Sequence, residues 1–310
     1  MPASHFIKIF GERNTGTRAL IQMLRALPDV QLRPLGERGP SNLPEYAALR
    51  KQIRRSFDRE WARIYEDGVR DLEHLATTPT KLWKHAAPVW DTEFARTNAH
   101  VIFCVRNPYS WLISLAKRPY HRRGPRSNTL LEFVERPWLT VQREYLPPLL
   151  SSPLELWNGK NRAYRRFAEA ANVPTATLYF EDFVADAECE LGRILTGFDI
   201  PSTALQALDI STKDNRNIDE IRTFYQSESW RKWLTADVVQ AINDRIDWEV
   251  AAALGYAKLD PQEFPYRLSQ SITAEITAKI APEQRSTPKM LKSKSLSRSH
   301  NWMSRLGFQS

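Results

Sequence analysis

The chain is poor in cysteine. Its 310 residues include only Cys104 and Cys189, too few for a disulfide framework and without the spacing of a zinc site. Cys104 lies inside an apolar run, where a thiol reads as a small core residue rather than a nucleophile. Long hydrophobic runs are missing as well. No stretch approaches 18 apolar residues, and the N-terminus carries no signal-peptide-like apolar segment, so the expectation is a soluble, cytoplasmic protein without a transmembrane segment. No internal repeat is visible. Acids are absent from Arg285 to Ser310, where Arg285, Lys289, Lys292, Lys294, Arg298 and Arg305 supply six of the eight net positive charges. Residues 1–284 therefore carry about two, which argues against a nucleic-acid-binding core.

What is present describes a globular, enzyme-like chain, with 42% hydrophobic and 11% aromatic residues. Its length allows one substantial α/β core. Residues 5–11 read as an apolar strand, 15–27 as a helix with Leu20, Met23, Leu24 and Leu27 at helical spacing, and 28–45 as a proline- and glycine-rich loop. Across 46–75 the recurrence of Leu49, Ile53, Phe57, Trp61, Ile64 and Leu72 predicts a long amphipathic helix or a helix pair. Its Lys51, Arg54, Arg55, Arg59 and Arg63 form either an anion patch or a solvated face balanced by Glu60, Glu66 and Asp67.

Further strands are expected at 80–85, 100–106 and 175–180. Helices are expected at 108–118, 127–135, 153–171, 187–197, 202–208, 217–226 and 235–254. Strands separated by helices imply a parallel sheet with helices on both faces. Residues 1–267 read as one domain with 46–75 as a helical insertion, and 268–310 as a basic, flexible tail.

Two segments carry the chemistry. Strand 5–11 runs into Glu12-Arg13-Asn14-Thr15-Gly16-Thr17-Arg18. The Gly11–Gly16 spacing is that of a phosphate loop, in which backbone N–H groups at a helix start face an anion. The Lys-Ser/Thr pair that follows an ATP-type loop is replaced by Thr17-Arg18. Strand 100–106 ends on Arg106, followed by Asn107-Pro108 and, eight residues after the Arg, Ser114. An Arg at a buried strand end needs a carboxylate or an anionic ligand, and its fork suits phosphate. Between them lies Trp83-Lys84-His85. A neutral His at a strand end in an open α/β sheet is either a structural residue or one placed to accept a proton, and Lys84 either neutralises charge on a transferring group or, by strand alternation, points away from His85.

Together these segments resemble the sulfotransferases that use 3′-phosphoadenosine 5′-phosphosulfate (PAPS). The 3′-phosphate motif matches at Arg106-Asn107-Pro108 and Ser114, and the 5′-phosphosulfate loop at Thr15-Gly16-Thr17. Asn14 stands where the family has Lys or Arg, so Arg13 or Arg18 supplies that charge. Lys84-His85-Ala86-Ala87-Pro88 is similar to the family's catalytic Lys-x-His-x-Pro segment with the Lys one place closer. Leu178–Asp182 resembles a strand ending in Tyr-Glu-Asp, with Phe180 in place of Tyr. A bacterial-looking subgroup is nearer still, at Gly11–Thr17, Trp83–His85, Arg106–Trp111, Lys117–His121, Trp157-Asn158 and Asn161-Arg162. The family's C-terminal Lys/Arg-Gly loop is not recognisable.

The resemblance implies a P-loop nucleotide-kinase-like sulfotransferase fold over residues 5–260. It also implies PAPS as sulfuryl donor, His85 and Lys84 as catalytic residues, and a nucleotide site of Arg13, Asn14, Thr15, Gly16, Thr17, Arg18, Arg106 and Ser114. No metal is required. The acceptor, a hydroxyl or amine, is not specified. Arg118, His121, Arg122 and Arg123 fit an acidic acceptor or a solvated turn. Two alternatives stand beside this one: a P-loop kinase or NTPase, and a catalytically inert nucleotide-binding interaction protein of the same fold.

Overall fold

The computed structural model describes residues 5–32, 44–77, 83–120, 127–202, 205–206 and 217–280. The chain runs β1 (His5–Gly11), α1 (Thr17–Arg25), β2 (Val30–Leu32), the helix pair α2 (Pro44–Ser56) and α3 (Arg59–Thr77), α4 (Thr92–Ala95), β3 (His100–Val105), α5 (Pro108–Lys117) and α6 (Leu130–Glu135). An antiparallel ribbon of β4 (Trp138–Leu139) and β5 (Leu149–Leu150) precedes α7 (Leu154–Ala170) and β6 (Thr175–Tyr179). The rest is helical: α8 (Phe180–Ala185), α9 (Ala187–Gly197), α10 (Ile218–Gln226), α11 (Ala236–Asn243), α12 (Trp248–Ala253) and α13 (Gln270–Ile280).

Strands β1, β2, β3 and β6 make one parallel sheet in the order β2-β1-β3-β6. Side-chain alternation sends Ile7, Ile9, Ile102 and Cys104 to one face, where α1 and α9 cover them with Leu20, Leu24, Leu191 and Ile194. Phe10, Val101, Phe103 and Val105 point to the other, under Phe94 of α4 and Tyr164 and Phe167 of α7. Burial on both faces is why these strands read as continuous apolar runs. Each buried Leu, Ile or Phe contributes roughly 1.5–3 kcal/mol by removal from water. A third core, rich in tryptophan, joins α5 to the C-terminal helices through Trp111, Trp157, Trp230 and Trp233.

The expected strands at 5–11, 100–106 and 175–180 form within a residue of their bounds. Residues 83–85 do not extend a strand. They form a turn that touches β1 through the Gly11 N–H donating to Lys84 O at 2.8 Å. Val30–Leu32 adds an edge strand inside the expected loop. The 235–254 pattern splits into α11 and α12, because Asp247 caps a second helix start by accepting from the Val250 N–H. Residues 46–75 form two helices, not one. Ordered structure also passes residue 267: α13 packs Ile276, 7% exposed, into the tryptophan-rich core. His121, Arg122, Arg123 and the segment from Arg285 onward lie outside the described residues. Among the described residues no helix is long and apolar enough to cross a membrane.

Ending the chain at residue 284 is expected to leave its thermal transition in place. Ending it at 267 removes α13 and uncovers the core around Ile276, at a cost of about 2–5 kcal/mol, the scale of deleting one large buried side chain. Equal melting temperatures for the two chains would show that α13 contributes nothing.

Candidate functional site

The strand order places a switch point between β1 and β3: the chain leaves β1 for β2 on one side and reaches β3 on the other. Open α/β sheets bind ligands at the carboxyl ends of such strands. Both motif segments emerge there. The loop after β1 turns through Asn14 and Gly16, at φ 71° and 82°, and Gly16 is the N-cap of α1. Left-handed backbone favours glycine at 16. Gly11 is required for space, since a Cβ there would lie 2.7 Å from both Cys104 Cβ and Thr17 Cγ2.

The loop carbonyls are held from behind. Glu12 O accepts from Thr15 Oγ1 at 2.6 Å, Arg13 O from Trp111 Nε1 at 3.1 Å, and Asn14 O from Arg106 Nη1 at 2.7 Å. No side chain caps α1, and the N–H groups of Thr15, Gly16, Thr17 and Arg18 meet no acceptor among the described residues. Uncapped N–H groups at a helix start, with the macrodipole behind them, form an anion seat.

The two loop arginines diverge. Arg13, 7% exposed, bonds Glu144 Oε1 at 2.8 Å and Glu12 Oε1 at 3.4 Å. Its guanidinium lies over Trp83 at 4.9 Å and Tyr120 at 5.2 Å. Lys160 of α7, wholly buried, pairs with Glu12 Oε2 and with Glu144 Oε1 at 3.3 Å. Two acids and two bases thus make a neutral cluster beneath the loop, and Glu144 and Glu12 hold Arg13 charged against the cost of its burial. Arg18 is exposed on the first turn of α1.

Arg106 is 2% exposed, and no carboxylate pairs with it among the described residues. Its Nε donates to Ser110 Oγ at 2.9 Å; Nη2 faces Ser110 O at 3.0 Å, Ser114 Oγ at 2.9 Å and Tyr225 OH at 3.0 Å. The guanidinium stacks on Phe180 at 4.1 Å and Tyr225 at 4.8 Å. Asn107, the N-cap of α5, accepts from the Tyr109 and Ser110 N–H groups, and Pro108 follows at the first helical position. The half-buried Glu181 carboxyl, pushed up by desolvation and partly held down by the charge of Arg106, accepts from the Asn107 N–H at 3.0 Å.

His85 hangs from the same loop, its Nδ1 at 2.5 Å from Gly11 O. A carbonyl only accepts, so Nδ1 carries the proton and Nε2 is the basic nitrogen. Burial, together with the charges of Arg13, Lys84 and Lys160, holds the imidazole well below its ordinary range. His85 is therefore neutral at pH 7. Lys84 anchors the turn through its carbonyl.

Gly11 thus links His85 to the loop, and Asn14 links the loop to Arg106 and, through it, to Ser114. Arg13 turns inward instead. Sequence reasoning missed Glu12, Glu144, Lys160 and Tyr225. Lys160 sits in the second turn of an ordinary amphipathic helix, and Tyr225 lies 119 positions from Arg106, so no local pattern marks either. Among the described residues no cluster of His, Cys, Asp and Glu is arranged to hold a metal ion.

No family model matches the chain, and no curated protein matches it. Among solved structures the chain is similar to a sulfotransferase domain from the curacin biosynthetic pathway, at 14% identity and a TM-score of 0.37, over 84% of this chain and 99% of that one.

Two outcomes follow from the charges. Lys160→Met leaves Glu12 and Glu144 against Arg13 alone and is expected to cost about 3–5 kcal/mol in urea unfolding, the scale of a broken buried pair; a loss below about 1 kcal/mol would mean the cluster relaxes freely. For His85 the folded-state pKa lies below the unfolded value. The unfolded chain therefore binds the proton first, and stability falls as pH drops below about 6.5. His85→Asn, which keeps a donor for Gly11 O, should flatten the stability profile between pH 7 and 5. An unchanged profile would show that His85 is not held neutral.

Proposed function

We propose that this protein transfers a sulfuryl group from PAPS to an acceptor hydroxyl or amine. The observation that carries the reading is the Arg106–Asn14 bond. It joins two anion-binding features, an uncapped helix start and an Arg without a carboxylate partner, across the switch point of one sheet. A nucleotide with phosphates at its 3′ and 5′ positions offers one anion to each. The donor set fits it: backbone N–H groups and Arg18 for the 5′-phosphosulfate, Arg106 and Ser114 for the 3′-phosphate.

PAPS, when bound, supplies the sulfuryl group and leaves as 3′,5′-bisphosphoadenosine. The chain's own part is placement and charge. The N–H groups of 15–17 hold the 5′ end in the loop. Arg18, being exposed, takes the role of the family's basic loop residue, because the guanidinium of Arg13 is bound to Glu12 and Glu144. His85 Nε2 accepts the acceptor's proton as the new O–S or N–S bond forms, and its tautomer is fixed by Gly11 O. Lys84 neutralises charge on the departing 5′-phosphate oxygen.

A second reading keeps the site and drops the chemistry. Every nitrogen of Arg106 already bonds within the protein, which suits a structural brace in an inert nucleotide-binding protein. The ATP-type alternative lacks the Lys-Ser/Thr pair, Thr17-Arg18 standing in its place.

Calorimetric titration separates these. The protein should bind 3′,5′-bisphosphoadenosine in strong preference to ATP with Mg²⁺. Arg106→Lys, which keeps the charge and loses the fork, should weaken that binding by about 1.5–3 kcal/mol and hardly alter 5′-AMP binding. Preference for ATP would point to a kinase or NTPase. Bisphosphate binding with no turnover of PAPS over a broad set of acceptors would favour the inert reading.

A further inference from the structure

Arg106 has more acceptors around one nitrogen than that nitrogen can serve. Nη2 carries two hydrogens and faces three oxygens, those of Ser110 O, Ser114 Oγ and Tyr225 OH, all within 3.0 Å. The Ser114 and Tyr225 oxygens both act as acceptors in these contacts, so each hydroxyl still has its own hydrogen to donate. Neither hydrogen meets an acceptor among the described residues. Nη1 likewise has a second hydrogen beyond the one given to Asn14 O.

Exposure sets the direction. Arg106 is buried, whereas Ser114 and Tyr225 are only half-buried, so the two hydroxyls sit at the rim of the site with the guanidinium behind them. Tyr225 is held rigidly enough to serve as a ligand. Its ring packs edge-on against Phe180 at 4.9 Å and against Phe224 at 5.1 Å. Phe180 is also the ring beneath Arg106 and the side chain that a Cβ at Gly16 would meet first, at 3.4 Å, so Tyr225 belongs to the same packed unit as the loop.

We propose that the Tyr225 hydroxyl is a direct ligand of a phosphate monoester bound at Arg106, donating alongside Ser114. Two O–H donors already polarised by a cation, plus one remaining N–H, match an anion with three terminal oxygens and about two negative charges. Tyr225 thereby makes the site selective for a terminal phosphate over a bare hydroxyl at the same position. The assignment rests on the placement of the 3′-phosphate at Arg106 and Ser114 proposed above, and adds a residue from α10 to it.

The test is calorimetry on the full chain and its Tyr225→Phe and Tyr225→His variants, with 3′,5′-bisphosphoadenosine, 5′-AMP and inorganic phosphate as separate probes. Tyr225→Phe keeps the ring and loses the donor; it should lower bisphosphate affinity about tenfold, or about 1.4 kcal/mol, and leave 5′-AMP binding within about twofold. Tyr225→His restores an N–H donor and should recover most of the loss. Unchanged bisphosphate affinity in Tyr225→Phe, or equal loss for bisphosphate and 5′-AMP, would overturn the assignment, as would equal loss in both variants. If the bisphosphate binds no better than inorganic phosphate, yet both depend on Tyr225, the anion site stands and the nucleotide reading falls. If the wild-type protein binds none of the three probes, both fall.

Discussion

The arrangement depends on four charges buried together beneath the loop. Glu12 and Arg13 belong to the loop, Glu144 to a turn 131 residues from Arg13, and Lys160 to α7. Burying any one of them alone would cost several kcal/mol; together they cancel. A buried ion cluster is a weak source of net stability compared with apolar side chains of the same volume. What it fixes is geometry, because each member is tolerable only where the others are. The cluster thereby sets the position of the loop relative to α7 and to the 142–145 turn. That turn extends the constraint outward. Glu144 O accepts from the Ala87 N–H at 2.8 Å, two residues beyond His85. Arg143, its neighbour, bonds Asp67 at 3.0 Å and Asp71 at 2.6 Å on α3 and lies over Trp83 at 4.7 Å. The helix pair α2–α3, an amphipathic helical insertion by sequence, is tied to the site through this turn, with the Gln142 N–H donating to Asp71 and Tyr145 meeting His74 beside Arg143.

Arg106 is the second brace, of a different kind. It is bonded to carbonyls and hydroxyls rather than to an acid, and the carboxyl of Glu181 feels its charge without forming an ion pair with it. A guanidinium without a directly paired carboxylate, set beneath half-buried hydroxyls, favours the arrival of an anion. The two braces divide the labour between the loop's arginines and this one: Arg13 is neutralised and structural, and Arg106 retains its field at the rim.

Much of the fold was legible in the sequence because its strands are apolar on both faces and bounded by turn residues. That is why 5–11, 100–105 and 175–179 were found within a residue. Strand β2 was not, since three residues in a proline-rich stretch carry no period, and only pairing with His5–Ile7 makes them a strand. The geometry of the candidate site was legible where local chemistry announces it: Gly11 and Gly16 in the loop, and Arg106 at a strand end facing Ser114 on the helix that follows. It was illegible where long-range pairing decides. Arg13 and Arg18 look equivalent in sequence. Their separation depends on Glu144 and Lys160, which become neighbours of the loop only after α7 crosses the sheet. Tyr225 was missed for the same reason. Phe180, by contrast, looked like a defect against the family pattern, yet in place it supplies the ring on which Arg106 rests.

The neutral state of His85 fits this electrostatic frame. Arg13, Lys84 and Lys160 all disfavour its protonation, and so does burial. A base held so far down is a poor proton acceptor by itself, since proton-transfer efficiency follows base strength. An anion seated at the α1 start would oppose those same cations and raise the imidazole toward neutrality. Within the proposed reading, the donor's own charge therefore completes the base. His85 gains proton affinity only when a phosphosulfate is there to be transferred, and with the loop empty the same cations keep it unreactive. The loop carbonyl that fixes its tautomer is Gly11 O, so binding and activation meet at a residue where a Cβ would collide with Cys104 and Thr17.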